Sequence, residues 1–319
     1  SQPLVQDTGD QTRQVRPIGQ PVPSEDLSVT SARRRAVAVR VEEPPSLDGN
    51  VLQDPAWSNV SAATGFSQTA PDEGQPASER TEVRIVFTDD TIYFGVVCYD
   101  RDPGAIIVTD SRRDSSLTDS DSFQLILDTF LDRQSGFVFG TSPSGQEYDG
   151  QLANEGAGGS RGFGGGGTAG GAGGGFNLNW DGAWQVRTTV TDIGWSAEFA
   201  IPFKSLRYPS NDTHRWGFQV ARSIRGKDET VVWAPVSRDV SGFLPQMGLL
   251  DGLRNLSTSR NLEILPTMTA IQVGSLDTTT GAFPEERQPE GGVNFKYGLT
   301  PNLTLDFTYN PDFSQIESD

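Results

Sequence analysis

Short β-branched and aromatic segments that alternate with turn residues are the feature that most restricts the fold of this chain. They begin at AVAVRV (36–41) and recur to about residue 256, as in TEVRIVFTDDTIYFGVVCYD, DSFQLILDTF and RWGFQVARSI. Gly, Pro, Asn and Asp separate them at spacings typical of a sandwich. No long amphipathic helix is predicted, and only QDPAWSNV and FKSL resemble short helical turns. The sequence therefore predicts an all-β protein, an antiparallel two-sheet β-sandwich.

The same alternation predicts which side chains fill the space between the two sheets. Residues two apart in a strand lie on the same face, so one set of apolar positions faces the core. The predicted inner faces contain Val83, Ile85, Phe87, Phe94, Val96, Phe123, Leu125, Leu127, Val186, Phe199, Ile201, Phe218 and Val220.

Composition divides the 319 residues into four parts. Residues 1–35, rich in Gln, Pro, Ser, Thr and Val, predict an extended tail. Residues 36–256 hold the predicted sandwich. Within it, residues 155–175 are mostly glycine and predict a flexible insertion loop, because glycine cannot bury a core. A phosphate-binding loop needs a strand before it and a helix after it, so no nucleotide is expected there.

The fourth part, residues 257–319, has the alternation of a membrane β-barrel. Val293, Phe295 and Tyr297 alternate with polar residues, and the same pattern follows the GLTPN turn at Leu303, Leu305, Phe307 and Tyr309. Aromatic residues near the strand ends suit an outer-membrane barrel. So few strands cannot close, and their edges also suit pairing with a strand of another chain. We expect either the start of an outer-membrane-type β-barrel or a strand-addition segment.

Charge and cysteine usage exclude some partners. The formal net charge is −17, with a sequence pI near 4.4, and such a surface repels a phosphate backbone, so no nucleic acid is expected. Cys98 is the sole cysteine, which excludes a disulfide within the chain. A start at SQPLVQ, without Met, is typical of a secreted protein with a cleaved signal peptide. The expected location is extracellular or the outer membrane of a Gram-negative-type bacterium.

Several motifs resemble those of family nine carbohydrate-binding modules. SLDGNVLQDPAWSNVSAATGF resembles the family's opening, in which an Asp-Gly turn precedes a helical turn with Pro-x-Trp, and GWSAEFAIPFKSL resembles a late strand ending in Ile-Pro. RRD, DSFQLILDTFLDRQSGFVF and NPDFSQIESD resemble, in the same order, a bacterial outer-membrane subgroup with such a module before a predicted barrel. The resemblance covers about residues 45–319, without the tail and the glycine insertion. It implies a front piece of a longer outer-membrane protein.

The tryptophans are the candidate sugar-binding residues, because planar rings stack on sugar faces. The resemblance implies a sugar clamped between two tryptophans. Trp180 and Trp184 flank DGA directly after the glycine insertion, where a binding rim is expected, and Trp233 is the third candidate. The remaining tryptophans are expected to pack in the core.

Asp119 and Asp121 are the candidate metal ligands. They lie in DSRRDSSLTDSDSF, and calcium prefers hard oxygen ligands of this kind. The resemblance also implies calcium, although the spacing of an EF-hand is missing. The alternative is a solvated acidic loop balanced by Arg112, Arg113 and Arg133. No haem is expected, since the available axial ligands, His214, Met247 and Met268, come without an attachment motif.

Three functions follow from these observations. The first is a non-catalytic carbohydrate-binding module of a bacterial cell-surface or outer-membrane protein. The second is a structural surface protein that self-associates into a homopolymer or filament by β-strand addition. The third is a glycoside hydrolase-type enzyme, for which acids are plentiful but no pair stands out in an apolar setting. Enzymatic activity is not expected, because the chain has one histidine and no G-x-S-x-G motif.

Overall fold

Strands in two facing sheets make up the part of the chain between Arg35 and Arg254. The computed structural model describes residues 33–156, 175–237, 239–240, 242–256, 262–274, 285–300 and 303–310. The chain divides into Ser1–Arg33 and Arg34–Asp319, and the strands belong to the second unit. The first fourteen described strands are β1 Arg35–Val37, β2 Val39–Arg40, β3 Ser67–Ala70, β4 Thr81–Phe87, β5 Thr91–Tyr99, β6 Ser122–Asp128, β7 Gly136–Thr141, β8 Tyr148–Leu152, β9 Phe176–Asn177, β10 Gln185–Thr191, β11 Gly194–Pro202, β12 Thr213–Ile224, β13 Glu229–Val232 and β14 Gly248–Arg254.

The two sheets differ in size. The smaller has the order β10-β11-β5-β4-β2, and the larger has the order β1-β14-β12-β6-β7-β8-β9. The long strand β12 connects the larger sheet, because β14 and then β13 pair along one edge while β6 pairs along the other. β3 extends the sheet beyond β13. The prediction of an all-β sandwich is confirmed.

The core between the sheets consists of the predicted side chains. All thirteen residues assigned to the inner faces belong to one buried cluster, and each is less than about a tenth exposed. Phe94 and Phe218 stack across the two sheets with ring centroids 5.9 Å apart. Period-two alternation therefore located the core correctly, because burial on one face of a strand imposes that period.

The outer face of each sheet is also partly covered. Val51, Trp57 and Val60 pack on Val86 and Val97 of the smaller sheet. Trp57 ends the predicted helical turn, which is a 3-10 helix, Pro55–Trp57, capped by the side chain of Asp54. The further 3-10 segments described are Pro103–Ala105, Asn154–Gly156, Phe203–Ser205, Arg225–Lys227 and Leu244–Gln246. On the larger sheet, Leu244 and Met247 belong to a second outer cluster.

Two of the described strand pairs are parallel, which differs from the purely antiparallel prediction. β1 runs parallel to β14 in the larger sheet, and β2 runs parallel to β4 in the smaller one. Residues 35–40 thus pass from one sheet to the other. Parallel pairing needs a long connection, and the chain supplies one because these strands are distant in sequence from β14 and β4.

A third sheet is formed by β15 Leu262–Gly274, β16 Glu285–Thr300 and β17 Leu303–Tyr309, in the order β15-β16-β17. Ile264, Phe295 and Phe307 are aligned across it, so they share one face. On this face Ile264, Met268, Leu305, Phe307 and Tyr309 are all more than half exposed. The predicted alternation is therefore present. Its assignment to a barrel or to strand addition stays a prediction.

Two predicted segments fall largely outside the described residues. The extended tail, 1–35, is described only from residue 33, and the glycine insertion, 155–175, is described only at its ends. Within the described ranges, no helix has the length and apolar character needed to cross a membrane.

Candidate functional site

Two of the three tryptophans predicted to bind sugar lie in the core. Trp184 and Trp233 are 4% and 3% exposed. The Trp184 ring stacks on Phe199 at 5.8 Å and meets the edge of Phe139 at 5.2 Å. Trp233 lies 5.4 Å from the ring of Phe218. Stacking of a sugar on either ring would require uncovering it, so their role in binding stays a prediction.

Trp180 is the predicted binding residue that retains an accessible surface. It is half-buried, with its ring centroid 5.1 Å from that of Phe137 and 5.9 Å from that of Phe139. Gly182 lies so close that a Cβ there would be 2.7 Å from the Trp180 ring. Beside it, Asp181 pairs with Arg113. The expectation of an aromatic rim after the glycine insertion therefore now rests on Trp180.

The two predicted metal ligands are in different environments. Asp119 is exposed, whereas Asp121 is buried, and its Oδ2 accepts a hydrogen bond from the backbone N–H of Ile107 at 2.8 Å. Burial raises the pKa of Asp121, and the positive charge of Arg222 opposes this shift. A cation at Asp121 would therefore be repelled by a guanidinium. No group of three or more His, Cys, Asp and Glu in the described ranges could hold a metal ion, and calcium stays a prediction.

A cavity of about 550 Å³ lies at the end of the smaller sheet where β4 begins and β5 ends. Its walls come from three segments: the residues before β4, the end of β5, and the turn between β10 and β11. The lining residues are Ser78, Glu79, Arg80, Tyr99, Asp100, Arg101, Asp192 and Ile193. This volume lies within the range of small-molecule sites.

Strand register brings these segments together. β4 and β5 form a hairpin in which Thr81 is paired with Cys98, so residues just before β4 lie beside residues just after β5. β11 begins at Gly194, which pairs with Tyr99 and has φ +133°. A Cβ on Gly194 would be 2.1 Å from the carbonyl oxygen of Cys98. Only glycine allows the turn to approach so closely, and the Asp100 N–H then bonds to the Ile193 carbonyl at 2.9 Å.

Glu79 is the buried carboxylate of the cavity wall. Its Oε1 accepts a hydrogen bond from Arg101 Nε at 3.0 Å and also pairs with Lys227. Burial acts to raise the pKa of Glu79, but the hydrogen bonds from Lys227 and Arg101 outweigh it and lower the pKa below its usual value. Glu79 is therefore ionised at neutral pH. It holds Arg101, whose Nη2 also donates to the Ser78 carbonyl at 3.1 Å.

Tyr99 supplies the aromatic surface of the cavity. It is half-buried, and the Arg80 guanidinium lies 5.0 Å from its ring centroid. Arg80 is in turn paired with the buried carboxylate of Glu82. The cation lies over part of the ring, as in other cation–π contacts, so Arg80 restricts the ring surface that Tyr99 offers to the cavity.

A fully buried arginine lies behind this wall. Arg222 is on β12 of the opposite sheet and is 0% exposed. Its Nη1 donates to the Arg80 carbonyl at 3.1 Å and to Thr81 Oγ1 at 3.2 Å. Its Nη2 is 3.7 Å from Asp100 Oδ2. Arg222 thus connects this wall of the smaller sheet to strand β12 of the larger sheet.

The sequence predictions did not include any residue of this cavity. One signal was available, because a hairpin turning at Asp89–Asp90 pairs the Glu79-Arg80 segment with the Asp100-Arg101 segment, which carries complementary charges. Asp192, Arg222 and Lys227 come from distant parts of the chain. No local pattern marks them as neighbours of the hairpin.

Comparison with known proteins supports the fold. A family model described as a domain of unknown function, DUF5916, matches residues 261–319. No curated protein matches the chain. The structure is similar to a "putative carbohydrate-binding protein" from Bacteroides uniformis, with 10% identity, a TM-score of 0.50, and coverage of 70% of this chain and 100% of that one.

Two structures of a family nine carbohydrate-binding module from Caldicellulosiruptor kristjanssonii are also similar. One is a complex with cellotriose, at 16% identity and a TM-score of 0.46, covering 70% of this chain and 96% of that chain. The other is a complex with glucose, at 15% identity and the same TM-score, covering 70% and 100%.

Proposed function

We propose that this protein is a non-catalytic carbohydrate-binding module, and that the cavity between β4, β5 and the β10–β11 turn is its sugar site. The observation that carries the proposal is the lining itself. An exposed carboxylate, Asp192, an exposed guanidinium, Arg101, and one aromatic ring, Tyr99, are combined around a volume of about 550 Å³. Carboxylates and guanidinium groups each offer two adjacent hydrogen-bonding atoms, which suits the neighbouring hydroxyls of a sugar ring.

The charges of the wall favour binding over hydrolysis. A glycosidase needs a carboxyl group whose pKa is raised, so that it can donate a proton at working pH. The pKa of Glu79 is lowered instead, and its Oε1 is shared by Arg101 and Lys227. Glu79 therefore orients Arg101 for hydrogen bonding rather than serving as an acid. This supports the proposal that the protein is not an enzyme.

The direct test is titration calorimetry against a panel of neutral gluco-, xylo- and manno-oligosaccharides, with Arg101→Ala as the site variant. Arg101 is exposed and lines the cavity, so its removal is expected to weaken binding about tenfold. Because Lys227 still pairs with the buried Glu79, the free energy of unfolding is expected to fall by only about 1 kcal/mol. Arg112→Ala is the control. Arg112, like Arg101, is an exposed arginine paired with a carboxylate, here that of Asp110, but it lies outside the lining. Equal affinities of both variants would contradict this site.

A second variant separates the cavity from the site predicted from the sequence. Trp180→Ala removes the half-buried ring that follows the glycine insertion and leaves the cavity lining unchanged. Unchanged affinity is expected if sugar binds in the cavity. A large loss in Trp180→Ala with none in Arg101→Ala would assign binding to the aromatic rim instead.

The cellular context is a separate proposal. We infer an extracellular or outer-membrane location from the resemblance to outer-membrane proteins and from the alternating strands of the third sheet. Fractionation of cells that produce the full-length protein tests this location. Recovery in the cytoplasmic fraction would contradict it.

Self-association is the second candidate function, and one observation favours it. The third sheet exposes Met268, Phe307 and Tyr309 at 84%, 59% and 66%, on a face that apolar residues share. Contiguous exposed apolar surface is typical of interaction sites. The strands β15 and β17 are also the two edges of this described sheet. A surface protein that assembles by β-strand addition would use such edges.

A further inference from the structure

We propose that Arg222 is a positioning residue for ligand binding, which sets the orientation of Asp100 in the cavity wall without touching the ligand. The inference rests on the proposed sugar site. Arg222 is absent from the cavity lining, yet it contacts two lining residues from inside the core, through the Arg80 carbonyl and the Asp100 carboxylate.

The burial of Arg222 has no explanation in the packing of the core alone. Its side chain is 0% exposed, and its Nε and Nη2 have no hydrogen-bond partner. A buried guanidinium with unpaired donors is costly, and replacement of such groups by apolar residues is often neutral or stabilising. The hydrogen bonds it does make, to the Arg80 carbonyl and to Thr81 Oγ1, fix the start of β4.

Asp100 is the lining residue on which Arg222 acts. Asp100 Oδ1 accepts the backbone N–H of Asp102 at 2.9 Å, and Oδ2 lies 3.7 Å from Arg222 Nη2. The Asp100 N–H is bonded to the Ile193 carbonyl, so its backbone is fixed to the turn before β11. The side chain is therefore held by one backbone donor on one oxygen and by a buried charge facing the other.

The ligand chemistry follows from this arrangement. The exposed Asp192 presents a carboxylate acceptor to the cavity, and the Asp100 carboxylate beside it is 7% exposed and held between the Asp102 N–H and Arg222. Ligand groups at this side of the wall must donate, which fits the hydroxyls of an uncharged sugar and opposes a ligand carboxylate. Arg222 also interacts electrostatically with Asp121, where its positive charge opposes the rise in pKa that burial causes. The remaining charged groups of the wall, Glu79, Arg80 and Arg101, lie on the segments flanking Asp100.

A double-mutant cycle tests the inference. The variants are Arg222→Met, Asp100→Asn and the double variant, titrated with the tightest-binding neutral oligosaccharide of the panel described above. If Arg222 acts through Asp100, each single variant weakens binding about tenfold, and the double variant is no weaker than Asp100→Asn. Additive losses, or an affinity of Arg222→Met equal to that of the wild type, would overturn the inference.

Matched variants distinguish positioning from a general structural effect. Gln219→Met removes another buried polar side chain of β12, one that bonds to the backbone of Ala234 and not to the cavity wall. It is expected to lower stability and leave affinity unchanged. Arg222→Lys keeps the charge, and it serves if Arg222→Met fails to fold. Because Lys keeps the positive charge near Asp100 but not the guanidinium donor geometry, Arg222→Lys should lose less affinity than Arg222→Met.

The two proposals fail in different ways. Wild-type protein that binds sugar, with Arg101→Ala impaired but Arg222→Met unaffected, refutes the positioning role and keeps the sugar site. Wild-type protein that binds none of the panel refutes the sugar site and the positioning role with it.

Discussion

Glu198 shows how a single buried carboxylate organises the surface of the smaller sheet. Its Oε1 accepts the indole N–H of Trp57 at 2.8 Å, and its Oε2 accepts the backbone N–H groups of Gly49 and Asp48 at 2.8 and 2.9 Å. Burial raises the pKa of Glu198, while these three donors favour its charged form. The segment that contains the Asp-Gly turn and the Pro-x-Trp motif is thus attached to β11 by Glu198, together with the Ser196 hydroxyl, which donates to the Gly49 carbonyl at 2.6 Å.

Replacement of Glu198 tests this attachment. Glu198→Gln keeps the shape but replaces one acceptor oxygen by a donor, which leaves buried N–H groups unpaired. We expect the free energy of unfolding to fall by about 1–3 kcal/mol, measured by urea denaturation. Glu43→Gln, at an exposed position, is the control and should change stability by less than about 0.5 kcal/mol. An equal effect of the two substitutions would contradict the role of Glu198.

Asp128 gives stability a defined pH dependence. Burial raises the pKa of Asp128 to about 6, against an ordinary value near 3.8. Between these values the folded state binds more protons than the unfolded state, so the free energy of unfolding decreases as pH rises through this window. The side chain cannot simply move to solvent, because it accepts the backbone N–H groups of Asp132 and Arg133 at 3.2 and 2.8 Å.

Asp128→Asn isolates this contribution from that of other buried acids. Urea unfolding at pH 4 and pH 6.5 should show that the wild type loses up to about 2–3 kcal/mol more than the variant between the two values. Burial lowers the pKa of His214, which acts in the opposite direction in both proteins and cancels in the difference. Identical pH profiles would contradict the assignment to Asp128.

At the scale of elements, the short turns decide where functional groups lie, and the strands provide the frame. The turn between β10 and β11 contains only Asp192 and Ile193, and both line the cavity. Its geometry depends on the positive φ of Gly194 and on the Asp100–Ile193 backbone bond. In contrast, the positions of side chains on the long strands β5 and β12 follow from the register in which these strands pair with their neighbours.

Gly194→Ala is expected to disturb this turn and the cavity together. A Cβ at Gly194 would lie 2.1 Å from the Cys98 carbonyl oxygen and require an unfavourable φ of +133°. We expect a loss of more than about 2 kcal/mol in the free energy of unfolding, together with weaker sugar binding. Gly74→Ala is the comparison, since Gly74 also has a positive φ, +82°, but has open space around it. Equal losses would show that backbone strain alone, without the contact with β5, explains the effect.

The loop before β6 provides a test of the predicted calcium site. The Asp121 carboxylate accepts a hydrogen bond from the backbone N–H of Ile107 and interacts electrostatically with Arg222, whereas Asp119 is exposed. The alternative, a solvated acidic loop, predicts that the melting temperature is unchanged when EDTA is added or when calcium is supplied. A rise with calcium that is lost in Asp119→Asn would instead establish the predicted site by mass action.

For the whole molecule, the cavity and the third sheet are two separate surfaces with different chemistry. The cavity combines charged groups with one aromatic ring, while the third sheet exposes aliphatic and aromatic side chains on one face. A chain of net charge −17 resists association through charge, so any self-association must come from apolar burial or strand pairing.

A pair of substitutions on the third sheet tests self-association. Met268→Ser with Phe307→Ser removes two of its most exposed apolar side chains. If the protein assembles through this face, light scattering should show a lower particle mass for the variant than for the wild type, with sugar affinity unchanged. A monomeric wild type would refute assembly, and an unchanged polymer in the variant would assign assembly to another surface.

The sequence by itself determined the fold class and the core. Alternating apolar residues such as Val83, Ile85 and Phe87 must face one side of a strand, and turn residues such as Asp89 and Asp90 must end it, so local physics was sufficient. A short helical turn was also predicted within QDPAWSNV, and the structure shows it at Pro55–Trp57 with Asp54 as its cap and Pro55 at its first position.

Only the tertiary structure decided which residues meet in the cavity and which aromatic rings are buried. The sequence does not distinguish a buried tryptophan from a sugar-binding one. In the structure, Trp184 packs against Phe199 and Trp233 packs against Phe218, so both rings are covered. Glu79, Asp192 and Arg222 come from three distant parts of the chain, and no local period relates them. The physical reason is that strand pairing across long connections sets these contacts, whereas the alternation that a sequence displays fixes only the face of each strand.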